Sequence, residues 1–515
     1  MNQIPKLLLV IPPCFMDREL DFELGFPTNI LMLGRVVCEQ GWQVSYLDMP
    51  LEEKEGYDSF AELDYCLKDS AIKSVGISNH TVRTSVTTRT VAEYIKLQRP
   101  DVRVVVGGVN ATFMWRELME PCSAIDYVLR GYAQQGLIAL CKTLQTGQGI
   151  PVPGLVSRSE EGFDVEQMAP VGATDFAMPE LAGIDVDRYL AWTRTYPLMT
   201  HSGCGFSCNF CTSVMPGPYQ DKEVYRPVEE VIAEMLQATD RGFERFFMSA
   251  NIFTSRRDYC LALCDAMWRA GIPGRAAWAC MTRLEFVDEE LLDAMKKAGC
   301  DNVAFGVESA SKEQWRTLRK GRFLKDSVVN AFRICKQAGL STTAYLMIGA
   351  PSQTREEIEA TIDLIRLINP DYRVISFFQP FPGTPYWDDP ERFGLSEIAP
   401  LEEWNFHEAP ICRTSNLDKK YMIDAAQRLY LDRGINPGFQ PSVDSLYLTI
   451  PRDQLAQDMP LPAQDAFSML KSTLPIEAVL ERVNTLHGER GRLIAMHWLS
   501  AGLRDGFLQA SRENV

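Results

Sequence analysis

The sequence predicts an α/β chain in three parts: a doubly wound N-terminal domain, a partial (β/α)6 barrel and a mainly helical C-terminal region. Three observations predict it. From residue 7 onward, short apolar runs alternate with stretches of helical period, the pattern of parallel strands joined by helices. A second series of this alternation starts near Tyr196, after a tract of scattered Pro and Gly with little periodicity. The length, 515 residues, exceeds one ordinary core and calls for two or three domains.

In the first part, residues 7–12 (Leu-Leu-Leu-Val-Ile-Pro) form an apolar run that stops at Pro12-Pro13, as a buried parallel strand does. Residues 29–40 set Ile30, Leu33, Gly34 and Val37 at helical spacing, and Gly41 ends them. Strands follow at 43–47, 74–78 and 102–106, the last running into Gly107-Gly108, with helices at 57–67 and 85–97. In such a Rossmann-like sheet, ligands sit beyond the carboxyl ends of the strands, here the loops 12–24, 78–84 and 107–112. This domain is expected over 1–145, and 146–195 reads as a linker with a short hairpin at 152–165.

The second series has strands at 196–199, 245–248, 276–280, 302–307, 342–348 and 372–379. Helices alternate with them at 227–237, 257–269, 288–297, 325–337 and 355–367, the first with Pro227 in its opening turn and Glu229 and Glu230 complementing its dipole. Six strands make an open six-stranded barrel over 196–391. The remainder, 392–515, holds Trp404, a helix at 419–432 and a Pro-rich bend at 460–462. An amphipathic stretch at 477–503 carries Val479, Val483, Leu486, Leu493, Met496 and Leu499, with His487 and His497 read as surface or packing residues.

A net charge of −16 and a pI near 5.0 argue against a nucleic-acid backbone as partner, which needs clustered Lys and Arg. A small molecule or a peptide fits better. No signal-peptide pattern opens the chain and no apolar run approaches membrane-spanning length, so no membrane partner and a cytoplasmic location are expected. The 14 cysteines show no disulfide framework, and Cys38, Cys141, Cys264 and Cys335 read as buried thiols on apolar faces.

Chemistry concentrates at Thr200-His201-Ser202-Gly203-Cys204-Gly205-Phe206-Ser207-Cys208-Asn209-Phe210-Cys211-Thr212, directly after a strand. Thiolates suit iron–sulfur clusters or zinc. Three of them, Cys204, Cys208 and Cys211, leave a four-iron cluster with one iron open to another ligand. A structural zinc site, completed by His201 or a distant cysteine, is the alternative, although a zinc ribbon would show a second Cys pair and none is present.

The Cys-x3-Cys-x2-Cys spacing resembles that of the radical S-adenosylmethionine (SAM) enzymes, in which the open iron of a [4Fe–4S] cluster chelates SAM. The resemblance implies that Phe210 lies beside the adenine. Further matches fall at strand ends, where parallel α/β folds keep their chemistry. Phe305-Gly306-Val307-Glu308-Ser309 is similar to the family's fourth-strand motif, implying that Glu308 and Ser309 reach the ribose and carboxylate of SAM. Gly349-Ala350-Pro351 resembles the motif that shapes the adenine pocket, and Phe381-Pro382-Gly383-Thr384-Pro385 the tail of the sixth strand. Ser249 and Asn251 stand where relatives usually carry acidic residues near the SAM amine, and Arg283 could pair with the SAM carboxylate. Each also has a structural reading: a helix cap for Ser309, a turn at 349–351, a surface ion pair for Arg283.

The first domain resembles the cobalamin-binding domain that precedes the barrel in one branch of this family. The residues behind this are the opening strand with Pro12, Val75-Gly76-Ile77-Ser78, Val106-Gly107-Gly108, and the run from Asp126 to Gly131. His80 and Arg83 in the intervening loop join them as candidates. The Asp-x-His-x-x-Gly motif that supplies a lower cobalt ligand is missing, and the usual acidic Gly-Glu-Gly-Glu is replaced by Gly131-Tyr132-Ala133-Gln134.

The resemblance implies a [4Fe–4S] cluster, SAM and cobalamin as cofactors, an external electron donor such as flavodoxin or ferredoxin, and C-methylation of an unactivated carbon using two SAM per turnover. No catalytic side chain is assigned beyond the cluster ligands. A cobalamin-dependent cyclase or rearrangement enzyme is the near alternative, and a zinc-stabilised binding protein the distant one.

Overall fold

The computed structural model describes residues 4–13, 25–170, 172, 176–212, 222–401, 404, 410–431, 446–448, 479–488, 495 and 508–510. These divide into two compact units. One holds the described residues up to 206 together with 212 and 222–250, and the other holds 207–211 and the described residues from 251 onward.

The first unit opens with β1 (Lys6–Ile11), α1 (Thr28–Cys38), β2 (Gln43–Asp48), α2 (Met49–Lys54), α3 (Ser59–Leu67), β3 (Ile72–Ser78), α4 (Thr84–Gln98) and β4 (Arg103–Gly107). Then come α5 (Val109–Phe113), α6 (Trp115–Met119), β5 (Tyr127–Leu129), α7 (Gln134–Thr146), β6 (Leu155–Ser159) and β7 (Gly162–Val165). The strands form one sheet in the order β2-β1-β3-β4-β5-β6-β7, the first five parallel. Leu8, Val10, Ile77, Val104 and Val106 pack in one core and Leu7, Leu9 and Val105 in a second on the opposite face. Burial on both faces is why these strands read as continuous apolar runs rather than alternating ones. The strand order reverses between β1 and β3, which opens the crevice where doubly wound sheets take ligands.

The hairpin β6–β7 and helix α2 are among the elements that differ from the sequence reading, as is α7, which it left unassigned. The hairpin β6–β7, read there as part of a linker, pairs antiparallel with β5 and extends the sheet. Its inward Val156 is fully buried in the first core, which a free linker hairpin would not achieve. Helix α2 begins one residue after a strand, with Asp48 accepting from the Leu51 amide and Pro50 in its first turn, so its apolar content was too short to show a period. Of the cysteines expected to be buried, Cys141, Cys264 and Cys335 are, but Cys38 is exposed: α1 turns Val36 and Val37 inward and leaves its last residue facing solvent.

The same unit continues with α8 (Val186–Leu190), β8 (Thr195–Leu198), β9 (His201–Gly203), β10 (Glu223–Tyr225), α9 (Val228–Asp240) and β11 (Arg245–Met248). Helix α8 is anchored to α2. Arg188 forks onto both Glu52 oxygens at 2.9 and 2.8 Å and reaches Glu55 at 2.7 Å, while the Tyr189 hydroxyl donates to Asp48 at 3.0 Å. Burial raises the Asp48 carboxyl to about 6. Beside this lie the rings of Phe26, Tyr189, Tyr196 and Phe243, packed mainly edge to face.

The second unit carries α10 (Arg257–Arg269), β12 (Ala277–Thr282), α11 (Glu289–Lys297), β13 (Cys300–Glu308), α12 (Lys312–Thr317), α13 (Lys325–Gln337), β14 (Ser341–Ile348), α14 (Arg355–Ile368) and β15 (Tyr372–Phe377). Its four strands run parallel. Helix α14 starts at a capping box, Thr354 and Glu357 each bonding the other's backbone amide. With β8 and β11, which pair parallel in the first unit, these four strands supply the six of the half-barrel.

Beyond it, α15 (Pro385–Asp388) precedes the pair β16 (Leu395–Ser396) and β17 (Arg413–Thr414), and α16 (Lys419–Leu431) follows. Trp404 is buried against Trp387. Residues 479–488 are helical, with Val479 and Val483 buried, but Leu486 is 60 % exposed and so leaves the apolar stripe. His487 is half-buried, and the bend at 460–462, Leu493, Met496, His497 and Leu499 lie outside the described residues. Among the described residues no helix is long and apolar enough to cross a membrane.

Arg188 is the cation of a cluster in which Glu52 is nearly buried. Arg188→Ala strands that carboxylate and should cost about 2 kcal/mol, less than for a fully buried pair because Arg188 keeps part of its surface in water. A thermal melt of the variant unchanged from that of the parent would contradict this.

Candidate functional site

Strand β8 leads into the cysteine loop through β9, which pairs antiparallel with β10. The approach is fixed by a buried network. The Arg226 amide donates to the Thr200 carbonyl at 3.0 Å and its guanidinium to the Met199 carbonyl at 2.9 Å. The same guanidinium pairs with Glu234 at 2.7 Å, the two side chains being 0 % and 2 % exposed, and the Tyr196 hydroxyl donates to the other Glu234 oxygen at 2.9 Å. Gly203 closes β9 with φ +84°, and a Cβ there would collide with the Lys222 carbonyl. No other residue type fits this position, one before the first thiol.

Cys204, Cys208 and Cys211 are half-buried and none is in a disulfide. Burial pushes the Cys208 thiol up, while Lys320 and Arg283 pull it down. Between the second and third thiols, Asn209 is tied to the turn after α12: its amide donates to the Leu318 carbonyl at 3.0 Å and its side chain to the Thr317 carbonyl at 3.1 Å. Among the described residues no three His, Cys, Asp or Glu side chains converge on a single metal ion. His201 is buried and stacked on Tyr225 at 4.6 Å, with Nδ1 3.2 Å from the Thr200 hydroxyl, and burial lowers its pKa to about 4. It is thus a neutral packing residue of the β9–β10 hairpin. Three half-buried soft thiols on one short loop suit a cluster that needs three protein ligands.

The strand ends of the second unit present the other candidates. Glu308, the last residue of β13, adopts φ +58° and pairs with Lys320 Nζ at 2.9 Å. The Lys320 ammonium also lies over the Phe210 ring, 5.9 Å from its centroid. Ser309 caps the next turn, its hydroxyl accepting from the Ser311 amide at 3.1 Å. Arg283 is buried, and its guanidinium reaches the Lys320 carbonyl and Glu285, the latter at 2.7 Å from Nε. Gly349, at φ +82°, donates its amide to Gln353 at 2.7 Å, and Pro351 is buried beside it. Ser249 and Asn251 follow β11, both exposed. Sequence reasoning missed Lys320. Its signal was the basic run Arg319-Lys320-Gly321-Arg322 straight after α12.

In the first unit the cobalamin candidates gather at the carboxyl ends of β1, β3, β4 and β5. Pro12 follows β1, Ser78 ends β3, Gly107 ends β4, and Gly131 follows β5. The Ser78 hydroxyl is buried with no hydrogen-bond partner among the described residues. Gly108, at φ +122°, lies so close to the Asn79 carbonyl that a Cβ would collide with it. The Gly131 amide donates to the Thr112 hydroxyl, which donates to the Gly108 carbonyl, both at 2.9 Å. Arg83 is buried at the start of α4. His80 is exposed, and desolvation by the surrounding protein lowers its pKa.

Beneath these residues lies a polar hub that the sequence reading did not find. Asn79 donates to Thr84 and Thr88 at 3.1 and 3.0 Å and accepts from Asn110 at 2.5 Å. The orphan Ser78 hydroxyl at the crevice fits an amide-rich ligand such as cobalamin, whereas the glycine at 108 is required by the Asn79 carbonyl.

Residues 198–365 match the radical SAM superfamily and residues 23–140 the B12-binding domain. The chain is 27% identical over 392 residues to an uncharacterized methyltransferase, PH0819, of Pyrococcus horikoshii, covering 75% of this chain and 83% of that one. It is 26% identical over 347 residues to the anaerobic magnesium-protoporphyrin IX monomethyl ester cyclase of Cereibacter sphaeroides, covering 64% of this chain and 55% of the cyclase. The fold matches the solved radical SAM methyltransferase TsrM of Kitasatospora setae, with cobalamin and a [4Fe–4S] cluster bound there. The TM-score is 0.73 at 17% identity, over 94% of this chain and 100% of that one.

The half-barrel and the three-thiol loop define a radical SAM enzyme. With a B12-binding domain ahead of them, the chain belongs to the cobalamin-dependent radical SAM enzymes, whose cofactors are a [4Fe–4S] cluster, SAM and cobalamin.

The Gly203 geometry gives a paired test of the loop. Gly203→Ala should cut iron and sulfide incorporation sharply, whereas Gly205→Ala, with nothing within 4 Å of the added carbon, should leave it intact. Equal iron content in the two variants would show that the hairpin does not set the loop.

Proposed function

We propose that this enzyme C-methylates an unactivated carbon of a small molecule or peptide, using two SAM per turnover. The observation that carries the reading is the pairing of a three-thiol loop with a B12-binding domain in a chain similar to a named methyltransferase over most of both lengths. The magnesium-protoporphyrin ester cyclase is matched over little more than half its own length, which favours methyl transfer over cyclisation as the working reading.

In this reading Cys204, Cys208 and Cys211 hold the cluster, and Phe210, Glu308, Gly349 and Pro351 surround SAM. Ser249 and Asn251 stand toward its amine, while Arg283 and Ser309 brace the pocket from behind. Pro12, Ser78, Gly107, Gly108 and Gly131 form the floor under cobalamin, with His80 and Arg83 at its rim. When bound, the cluster supplies the electron that cleaves SAM and cobalamin carries the methyl group. The protein's own part is to bind, orient and keep water out. The acidic chain favours a substrate other than nucleic acid, and an external donor such as flavodoxin or ferredoxin supplies the electron. The working boundaries are 1–145 for cobalamin, with the hairpin β6–β7 completing its sheet inside the 146–195 stretch first read as a linker, 196–391 for the radical SAM core and 392–515 for shaping the substrate pocket.

With methyl-deuterated SAM, a reductant, cobalamin and the true substrate, the product should gain three deuterons. S-adenosylhomocysteine and 5′-deoxyadenosine should accumulate in about equal amounts, because each turnover uses SAM in two ways. A product without the label would overturn methylation and leave the cyclase reading. Cys208→Ala should form no 5′-deoxyadenosine.

Because the lower-ligand histidine motif is missing, EPR of the cob(II)alamin form should lack superhyperfine splitting from an axial nitrogen. Splitting that vanishes in His80→Ala would assign that ligand to His80 instead.

A further inference from the structure

We infer that Lys320 is a positioning residue that holds Glu308 in its SAM-binding pose. This rests on the reading of Glu308 as the acceptor for the ribose hydroxyls of SAM.

Glu308 is a non-glycine residue in the left-handed region at φ +58°, a conformation that persists only when its surroundings hold it. The pairing of β13 with β14 slips between Gly306 and Glu308, so the ladder releases the chain just there. What holds it comes from α12 and the turn that follows it. Lys320 Nζ meets Glu308 Oε1 at 2.9 Å, with the side chains 8% and 11% exposed. The Trp315 indole donates to the carbonyls of Val307 and Ser309 at 3.1 and 3.0 Å, clamping the residues on either side of Glu308.

The lysine is itself fixed. Its amide donates to the Trp315 carbonyl at 2.9 Å, and its carbonyl accepts from Arg283. Gly306 makes room for the pair: a Cβ there would lie 2.6 Å from Lys320 Nζ and 2.7 Å from Glu308 Oε1. A side chain at 306 would therefore expel the ion pair.

The pair commits Oε1 and leaves Oε2 to receive a ribose hydroxyl. Lys320 then acts on SAM through the glutamate, without touching the amino-acid carboxylate of SAM. Removing the ammonium leaves a buried carboxylate uncompensated, and it would turn away from its pose. Two ligands separate this from a direct role. SAM carries the amino-acid carboxylate and 5′-deoxyadenosine lacks it, but both carry the ribose.

The test is calorimetric titration of the cluster-reconstituted protein with SAM, and with 5′-deoxyadenosine by competition. Lys320→Met should weaken both ligands by the same factor, about tenfold, the size of one lost charge-assisted hydrogen bond. Lys320→Arg should restore most of the affinity for both. The double variant Glu308→Gln/Lys320→Met, which removes both charges and so tolerates burial, should bind no worse than Glu308→Gln alone. Loss confined to SAM would show that Lys320 grips the carboxylate directly, and additive losses in the double variant would show that it acts independently of Glu308. Unchanged binding in Lys320→Met would also overturn the inference. Failure of the parent protein to bind either ligand would instead overturn the SAM reading itself.

Discussion

The chemistry of this chain depends on delivering three thiols from a loop that begins at a defined point, and that point is set by the buried Arg226–Glu234 pair. A full positive charge with almost no access to water is tolerable only where a countercharge and backbone acceptors meet it. Here the partners are Glu234 and the Met199 carbonyl, while the backbone of Arg226 binds Thr200. The residue therefore reads the main chain of the strand exit at two consecutive carbonyls. Tyr196, donating to the same glutamate, adds the strand's own start to the arrangement. A packed apolar substitute would fill the volume but would not specify the path of residues 199–203.

The same principle operates at the far end of the loop. Asn209 fastens the cysteine segment to the two carbonyls that end α12, and the turn that follows sends Lys320 to Glu308. Cys208, Cys211 and the fourth-strand glutamate are thereby referred to one short stretch of chain, 317–320. Side-chain geometry at a reacting centre needs that kind of support, since a first layer of residues is only as well placed as the layer behind it.

Much of this was legible in the sequence. Strands buried on both faces announce themselves as apolar runs, as β1, β3 and β4 do, and all six strands of the half-barrel were likewise found within two residues of their ends, and α10 and α13 at their ends. The cysteine spacing named its own chemistry. What escaped, apart from the thirteen-residue helix α7, was either short or non-local. Helix α2, β9 and β10 contain too few residues to display a period. Lys320 and Asn79 owe their roles to partners brought near by folding, and a single lysine or asparagine in a loop carries no mark of that. Cys38 shows the opposite error: an apolar neighbourhood in sequence does not fix which side of a helix end faces inward. Arg283, a surface ion pair in one reading of the sequence, proves to be buried, with a backbone carbonyl 37 residues on among its partners, which no local pattern announces.

The hairpin β6–β7 gives the first sheet a deliberate border. Strand β5 has only three residues, and in a sheet that stopped there its free amides and carbonyls would form an open template for another chain. The antiparallel hairpin covers that template and replaces it with a four-residue strand, mostly exposed and carrying Asp164 and the turn glycine Gly162, a poor surface for further pairing. A fragment ending near residue 145 would keep every predicted cobalamin contact and lose this border, so the unit able to exist in solution without recruiting its neighbours is longer than the unit able to bind.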